Sequence, residues 1–335
     1  LLDEAALDAA FERLLALAPS GDAVALAWAN ECILDGRFER AVSILRGRAF
    51  GEEKSIDARL ALSRALFGLL LLDEAQAELD AVPREGLAAQ QAAAIGRGTR
   101  RIREFRERFS LDQASLARDL DRDDNPIVEF TTTRGPVVVE LFENDAPETV
   151  GHFVEHVESG TYTGTSVHGV LRGFGVLAGD PATRDGAAGG RSTGGWLVRD
   201  EGDLPSHRAT ITGRLVLAKQ PDPSQRAKPA PNSAGCQFMI LLCPAPQLDG
   251  DYTAFGRVVD GMDIVRRLRE GDQILAAEVV RKREHPYRAN RLAEVETGTF
   301  TRPLAVDAPP PARSGTAPPV PALNPNAPSL SPSRP

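Results

Sequence analysis

The spacing of apolar residues changes once along the chain, near Asn125, and this change most constrains the fold. Before it, leucines and alanines recur every three or four residues, as on one face of an amphipathic helix. After it, Val128, Phe130 and Thr132 alternate with their neighbours, and the run Val137–Phe142 follows a turn, which predicts a β-hairpin. We therefore predict a multidomain chain in which an all-α part precedes a mainly-β part.

A chain of 335 residues is long enough for more than one domain. The second part has many short strands and two helices, at 147–158 and 261–269, which predicts a closed barrel because closure removes exposed sheet edges. The Pro-, Ala- and Ser-rich end has too little apolar surface to offset the entropy of ordering. The predicted segments are helical repeats at 1–85, a helical linker at 86–124, a β-barrel domain at 125–290 and a disordered tail at 291–335.

One internal period of 34 residues is visible in the helical part. The segment GRFERAVSIL resembles a tetratricopeptide helical hairpin, and LLLDEAQAEL repeats the pattern more loosely. Such repeats offer a groove for a partner's peptide or helix, whereas a small helical bundle would only space or cap the next domain. The sequence leaves both interpretations open. The recurring residues are Ala27, Ala41 and Leu45, which return as Ala61, Ala75 and Leu79.

The charge pattern argues against binding to nucleic acid. The net charge is −8, and an acidic protein is not attracted to phosphate backbones or to anionic lipid. The arginines between Arg97 and Arg108 are interleaved with Glu104 and Glu107, which predicts an exposed, ion-paired helix. No apolar run reaches the length of about 18 residues that a membrane-spanning helix needs.

Three cysteines, Cys32, Cys236 and Cys243, have no metal-ligand spacing. An odd number of thiols without a pairing pattern is typical of a reducing compartment, so we expect a cytoplasmic protein. The chain opens with Leu1 instead of methionine, and we expect its natural start to lie further upstream, which leaves export open.

Two stretches carry a specific family signal. The first is YTGTSVHGVLRGFGVLAGDP at 162–181, and the second is NSAGCQFMILLCPAPQLDGDYTAFGRVV at 232–259. Together with the opening APETVGHFVEHVESGTYTGT, they resemble the cyclophilin family of peptidyl-prolyl isomerases over roughly Asn125–Tyr287. The resemblance implies a barrel covered by two helices, proline-containing polypeptides as substrates, and a reaction without cofactor or metal.

The resemblance also assigns residues to the substrate site. Phe174 matches the aromatic wall of the proline pocket, and Gln237 survives from the family's GSQFF motif, where Met239 replaces the second phenylalanine. Tyr252 stands at a histidine position. The residues assigned to substrate binding are Phe174, Ala218, Gln237, Met239, Leu248 and Tyr252, of which Phe174, Gln237 and Leu248 are also assigned to catalysis.

In the family, an arginine and a glutamine form the polar part of the site, here called the polar arm, and the resemblance implies that both are replaced in this chain. The family's arginine directly follows a histidine; here His168 is followed by Gly169, and the glutamine position is Leu177. We predict a peptidyl-prolyl isomerase with weakened activity, and the alternative is a non-catalytic adaptor that binds proline peptides and uses the helical repeats for a partner. Arg172 lies an odd number of residues from Gly169 on the strand, so we expect it on the opposite face, unable to replace the arginine.

Two further motifs are interpreted as structural. The run 173–178 matches the dinucleotide-binding pattern G-x-G-x-x-A, but a Gly-Asp-Pro turn follows it where that motif requires a helix. His152 and His156 lie four residues apart on a predicted helix without a third ligand, and we expect them to face solvent instead of binding metal. His168 lies within an apolar strand and is expected to be a structural histidine.

Overall fold

Helices make up the described chain up to residue 122. The structure, a computed structural model, describes residues 4–17, 21–186, 192–202, 207–225, 228–288 and 290–292. The predicted tail lies outside these residues from position 293 onward. All described helices and strands belong to one compact unit, Leu1–Pro303. The helices are α1 (Glu4–Leu17), α2 (Asp22–Leu34), α3 (Phe38–Arg46), α4 (Glu52–Gly68), α5 (Leu72–Asp80) and α6 (Ala89–Arg122).

The 34-residue period holds for one pair of helices and fails for the other. Ala41 of α3 and Ala75 of α5 are both fully buried, as the repeat predicts. Ala27 of α2 is exposed, whereas Ala61 of α4 is buried, so these two positions are not equivalent. The reason is rotational: α2 turns Ala25, Trp28, Ala29 and Cys32 inward, and Ala27 lies off that face. A tetratricopeptide character is therefore not confirmed.

Helix α6 runs for 34 residues and packs against both parts of the molecule. Ile95, Ile102 and Phe105 of its first half are buried in the core of the helical region. Asp112 and Asp119 of its second half are buried against the sheet, where they pair with two buried arginines. The predicted linker is thus a continuous helix that contacts both regions.

The two acidic residues that follow α6, Asp123 and Asp124, both form ion pairs with the sheet region. Asp123 ends the helix in the left-handed conformation, at φ 43°, and pairs with Arg281 at 2.9 Å. Asp124 accepts a 2.7 Å hydrogen bond from Arg283. These ion pairs hold the chain that connects α6 to the sheet.

Eight antiparallel strands form one curled sheet in the described residues, with the order β3-β4-β6-β5-β7-β2-β1-β8. Backbone hydrogen bonds join its two ends, from the Val167 amide to the Asp272 carbonyl at 2.7 Å and from the Ile274 amide to the Thr165 carbonyl at 2.8 Å. The strands are β1 (Ile127–Thr132), β2 (Gly135–Leu141), β3 (Gly169–Leu171), β4 (Gly175–Ala178), β5 (Arg214–Leu217), β6 (Phe238–Leu241), β7 (Ala254–Asp260) and β8 (Ile274–Arg281).

Two helices accompany the sheet, close to their predicted positions. α7 spans Pro147–Glu158, and its proline stands in the first turn, where the missing N–H costs nothing. The carboxylate of Glu201 accepts hydrogen bonds from the Glu148 and Thr149 amides and so caps this helix. α8 spans Met262–Arg267. None of the described helices is both long and apolar enough to cross a membrane.

Four central strands bury apolar side chains on both faces. Successive side chains of a strand point to opposite faces, so Phe238 and Ile240 of β6 enter the interior core while Met239 and Leu241 point outward. Most strands of a barrel carry polar residues on the outside. The outward side chains of β4, β6, β5 and β7 therefore form a second hydrophobic cluster, separate from the interior core.

Candidate functional site

An apolar cup lies on the outer face of the sheet. It consists of Phe174, Leu177, Met239, Leu248 and Tyr252, which belong to one hydrophobic cluster. β4 and β6 supply Leu177 and Met239, and a 3₁₀ turn at Pro246–Leu248 supplies Leu248. Four of the five side chains are buried, and Phe174 is partly exposed at the rim. The structure thus brings together four of the residues that the sequence assigned to substrate binding.

The position of the family's arginine is covered by an apolar side chain. Gly169 pairs with Leu177 across β3 and β4. A Cβ built on Gly169 would lie 3.4 Å from one methyl group of Leu177, at ordinary van der Waals distance. Leucine therefore borders the space that a longer side chain at 169 would enter, and the two residues form one apolar patch.

Gly175 and Met239 form a second pair of neighbours in which a large side chain lies against a glycine. A Cβ on Gly175 would lie 2.7 Å from the sulfur of Met239, so the thioether packs directly over the glycine. Met239 is almost completely buried there. Methionine is flexible and polarizable, and it fills such irregular spaces well. The run 175–178 is a strand that is followed by a short 3₁₀ helix at Pro181–Gly186 and not directly by an α-helix, which agrees with the rejection of a dinucleotide motif.

Gln237 and Ala218 lie beside the cup at the ends of β6 and β5. The Ala218 amide donates a 2.8 Å hydrogen bond to the Gln237 carbonyl, so the two residues are held together by backbone. The Gln237 side chain donates to the Ser192 carbonyl at 2.8 Å and is buried. Burial lowers the pKa of His168, against the opposing effects of Asp180 and the Gln237 side chain, so the imidazole is neutral near pH 7.

Lys219, directly after Ala218, is held by two nearby acceptors. Its ammonium group donates to Asp200 at 2.7 Å and to the Asp251 carbonyl at 2.8 Å. It also lies 5.9 Å from the centre of the Tyr252 ring, within range of a cation–π interaction. Burial raises the pKa of the Tyr252 hydroxyl to about 12, so this ring is neutral and contributes an uncharged wall.

Arg172 cannot supply the missing cation from where it lies. Its guanidinium donates to Asp35 at 2.5 and 3.1 Å and to Glu31 at 2.7 Å, both near the end of α2. These carboxylates raise its pKa, and the group points away from Gly169 toward the helical region. The prediction that Arg172 does not replace the arginine agrees with this geometry.

The histidines of α7 are buried, and the expectation that they face solvent is wrong. His152 and His156 are both fully inaccessible, with ring centres 4.5 Å apart. Trp196 covers them and stacks on His156 at 4.3 Å. Burial lowers the pKa of His152 to about 4 and that of His156 to about 3. Within the described residues, no group of three potential ligands is placed to hold a metal ion.

One feature of the site was missed by sequence reasoning: the helical region borders the cup. A Cβ on Gly173, next to Phe174, would overlap the Leu34 carbonyl oxygen at the end of α2. On the opposite side, the Gln247 side chain accepts a 3.4 Å hydrogen bond from Arg101 of α6. The only local signal was the glycine at 173, which a turn explains equally well.

The fold and the site together define a class, a curled antiparallel sheet of eight strands with an apolar cluster on its outer face. A family model described as cyclophilin type peptidyl-prolyl cis-trans isomerase matches residues 127–295. The chain belongs to this family.

Similar proteins carry the same description. The chain is 39% identical over 141 residues to peptidyl-prolyl cis-trans isomerase-like 1 of Rhizopus delemar, covering 42% of this chain and 78% of the relative. It is 36% identical over 143 residues to peptidyl-prolyl cis-trans isomerase CYP18-2 of Arabidopsis thaliana. That match covers 43% of this chain and 80% of the relative. A cyclophilin type isomerase of Cryptosporidium parvum of known structure is 28% identical, with 46% of this chain and 97% of that chain covered, at a TM-score of 0.40.

Proposed function

We propose that this chain is a peptidyl-prolyl isomerase that assists protein folding with weakened catalysis, acting on proline-containing polypeptides at the apolar cup. Rotation about an X–Pro bond is opposed by about 20 kcal/mol because amide resonance must be broken. An apolar pocket can hold the proline ring while a hydrogen-bond donor stabilises the nitrogen as its lone pair localises. The cup supplies the pocket without any covalent step.

The observation that carries the proposed weakening is the pair Gly169 and Leu177. Glycine offers no donor, and the leucine beside it presents only methyl groups to the same space. Removing one well-aimed donor from a preorganised site costs about 100- to 1,000-fold in rate. Gln237 remains as a polar group at the edge, but its amide is already bonded to Ser192.

The test is an NMR exchange measurement on a short Ala-Pro peptide with the full chain. We expect wild type to accelerate exchange only weakly and the double variant Gly169→Arg/Leu177→Gln to accelerate it at least about 100-fold more, since it restores the donor and makes room for it. Gly169→Arg alone should recover less, because Leu177 still borders the space. Gly96→Ala, on α6 at a position with nothing within 4 Å and without a positive φ, is the control.

Two outcomes contradict the proposal. Wild type with the rate of a full-strength isomerase would show that the donor is supplied from elsewhere. A folded double variant without any gain would show that the arginine position does not limit the rate.

A second candidate is a non-catalytic adaptor in which the cup binds a proline-bearing segment and the helices α2–α5 bind another protein. It is favoured by the contrast within the site: the apolar wall is kept as Phe174 and Leu248, while the polar arm is replaced. An adaptor would bind the Ala-Pro peptide, with shifts at Tyr252, and leave its exchange rate unchanged. Turnover therefore separates the two candidates.

We also propose a reducing compartment, the cytoplasm, as the site of action. The support is that none of the three cysteines, all of which are described, forms a disulfide. Burial raises the pKa of Cys32 and Cys243 to about 11, so both thiols stay protonated and unreactive.

A further inference from the structure

The turn between β3 and β4 forms one wall of the cup, and its contacts lie mostly outside the sheet. Phe174 ends this turn, and Arg172 begins it. The Arg172 guanidinium binds Asp35 through two hydrogen bonds, a forked geometry that fixes orientation as well as distance. A third hydrogen bond reaches Glu31, one turn earlier on α2. The turn that carries Phe174 is therefore attached to the helical region.

Close backbone packing supports the same attachment. Gly173 lies so near the Leu34 carbonyl that no side chain fits between them. The Leu242 amide donates a 2.8 Å hydrogen bond to the Phe174 carbonyl. Gly36, in the turn after α2, faces the Leu242 carbonyl, since a Cβ on it would lie 3.2 Å away. The Phe174 backbone is thus enclosed between the α2–α3 turn and the end of β6.

The opposite wall of the cup also borders the helical region. Asp249, directly after Leu248, accepts hydrogen bonds from the Thr210 amide at 3.0 Å and its hydroxyl at 2.8 Å. Arg108 of α6 lies 3.6 Å from the same carboxylate. Both walls of the cup therefore touch helices that share one hydrophobic core, through α2 on one side and α6 on the other.

We propose that the helical region sets the separation of the two walls of the cup, and that Arg172 is the positioning residue that holds Phe174 in place. This inference rests on the proposed function, in which the cup receives the proline ring. Arg172 acts through the wall and does not touch the substrate, because its donors are engaged by Asp35 and Glu31. Catalysis and binding would then depend on residues more than one hundred positions earlier in the chain.

The first test measures the wall itself and needs no ligand. In full-length Arg172→Ala, we expect the Leu242 amide, which bonds the Phe174 carbonyl, to exchange with solvent about tenfold faster. Arg172→Lys keeps one cationic contact and should restore most of the protection. The control is Arg46→Ala, which removes a 2.5 Å pair with Glu74 of similar exposure on α3 and α5. Unchanged exchange at Leu242 in Arg172→Ala would overturn the proposal.

The second test measures the consequence for substrate. An Ala-Pro peptide should bind Arg172→Ala about three- to tenfold more weakly than wild type, with Arg172→Lys in between and Arg46→Ala unchanged. Faster exchange at Leu242 with unaltered peptide affinity would overturn the positioning role. If wild type itself binds no proline peptide, the proposed function fails, whereas the exchange measurement still tests the attachment of the wall.

The variant Gly173→Ala disturbs the same wall by a second, independent change. The added methyl group must push the turn away from Leu34, and the residue also sits at φ +65°, where side chains are strained. Gly160→Ala, at φ +72° with nothing within 4 Å, carries the strain without the collision. Faster Leu242 exchange in Gly173→Ala than in Gly160→Ala supports the proposal, and equal exchange in the two variants contradicts it.

Discussion

At the scale of single residues, the cup contains two pairs in which a large side chain lies against a glycine. Met239 fills the space over Gly175, and Leu177 lies beside Gly169. Each pair joins neighbouring strands, and the larger side chain fills the space beside the glycine. Close packing makes isolated changes of this size costly, because unfilled space loses contact energy. These two pairs therefore keep this part of the cup apolar and well filled.

The buried imidazoles of α7 give the residue-scale prediction. His152 and His156 have pKa values of about 4 and about 3 in the folded chain, against 6.5 when exposed, chiefly because burial disfavours the charged ring. Between pH 6.5 and about 4 the unfolded chain binds protons that the folded chain does not, so stability falls as the pH falls through this window. The shift of His152 alone corresponds to a loss on the order of 3 kcal/mol in the free energy of unfolding over that range.

Urea unfolding between pH 7 and 4.5 measures this loss. The variant His152→Asn/His156→Leu should show a shallower decline than wild type, because its two side chains bind no protons. Neighbouring groups that also act on the pair, Glu155 on α7 and Arg291 over Trp196, are unchanged in this variant. Equal slopes in wild type and the variant would show that carboxylates alone account for the acid sensitivity.

At the scale of elements, α6 is the part that both regions share. Its second half presents Asp112 and Asp119 to two arginines from the segment 208–214 of the sheet region. Arg208 also pairs with Asp145 at 2.7 Å, and both arginines lie over the Phe142 ring. Ala209 and Ile211 of the same segment join the apolar core of the helices. A helix with such partners cannot act as a flexible linker.

Asp112→Ala gives the element-scale prediction. Asp112 pairs with Arg214 at 2.5 Å, and both side chains are buried. Burial lowers the pKa of Arg214 to about 10, yet the group stays charged at neutral pH, so the variant would leave a buried charge without its carboxylate. Such a loss costs about 3–5 kcal/mol. We expect this decrease in the free energy of unfolding, measured by urea denaturation.

The control for this experiment is Asp73→Ala. This variant removes an exposed carboxylate on α5 that pairs with Arg106 of α6. Exposed ion pairs contribute little, so its unfolding midpoint should match wild type. A small effect of Asp112→Ala, similar to that of Asp73→Ala, would mean that water reaches Arg214 and that α6 is less firmly joined to the sheet.

At the scale of the whole molecule, we propose that the two regions unfold together. The boundary between them falls after Arg122, yet α6, the Arg172 contacts and the buried ion pairs cross it. Interfaces of this kind, apolar at the centre and crossed by buried charges, couple the stability of the parts they join. The region that surrounds the cup is then as stable as the helices that support it.

The two tryptophans allow this coupling to be measured. Trp28 lies in the helical region and Trp196 beside the sheet, so Trp28→Phe leaves a reporter of the sheet region alone. In this variant we expect the unfolding curves from tryptophan fluorescence and from helical circular dichroism to coincide, because one cooperative transition moves both probes. Trp196→Phe, in which both probes report helices, is the control. Separate midpoints in Trp28→Phe would contradict a single unit.

Much of the sheet region was predictable because its signals are local. α7 spans Pro147–Glu158, as the proline in its first turn and its apolar spacing predicted, and α8 lies within the predicted range. The residues of the cup share one cluster because strand alternation and motif order carry that information. The 34-residue period misplaced Ala27, because the face of α2 that meets the core carries Ala25 and Ala29 and leaves Ala27 exposed.

The sequence by itself determined the order of helices and strands and the family, and it predicts that Gly169 and Leu177 replace polar residues of the family's site. These follow from spacing and side-chain chemistry within short stretches of chain. Only the tertiary structure decided that His152 and His156 are buried, and that Arg172 faces Asp35, 137 residues away. Burial and pairing depend on what another part of the chain places beside a residue, and neither periodicity nor spacing contains that information.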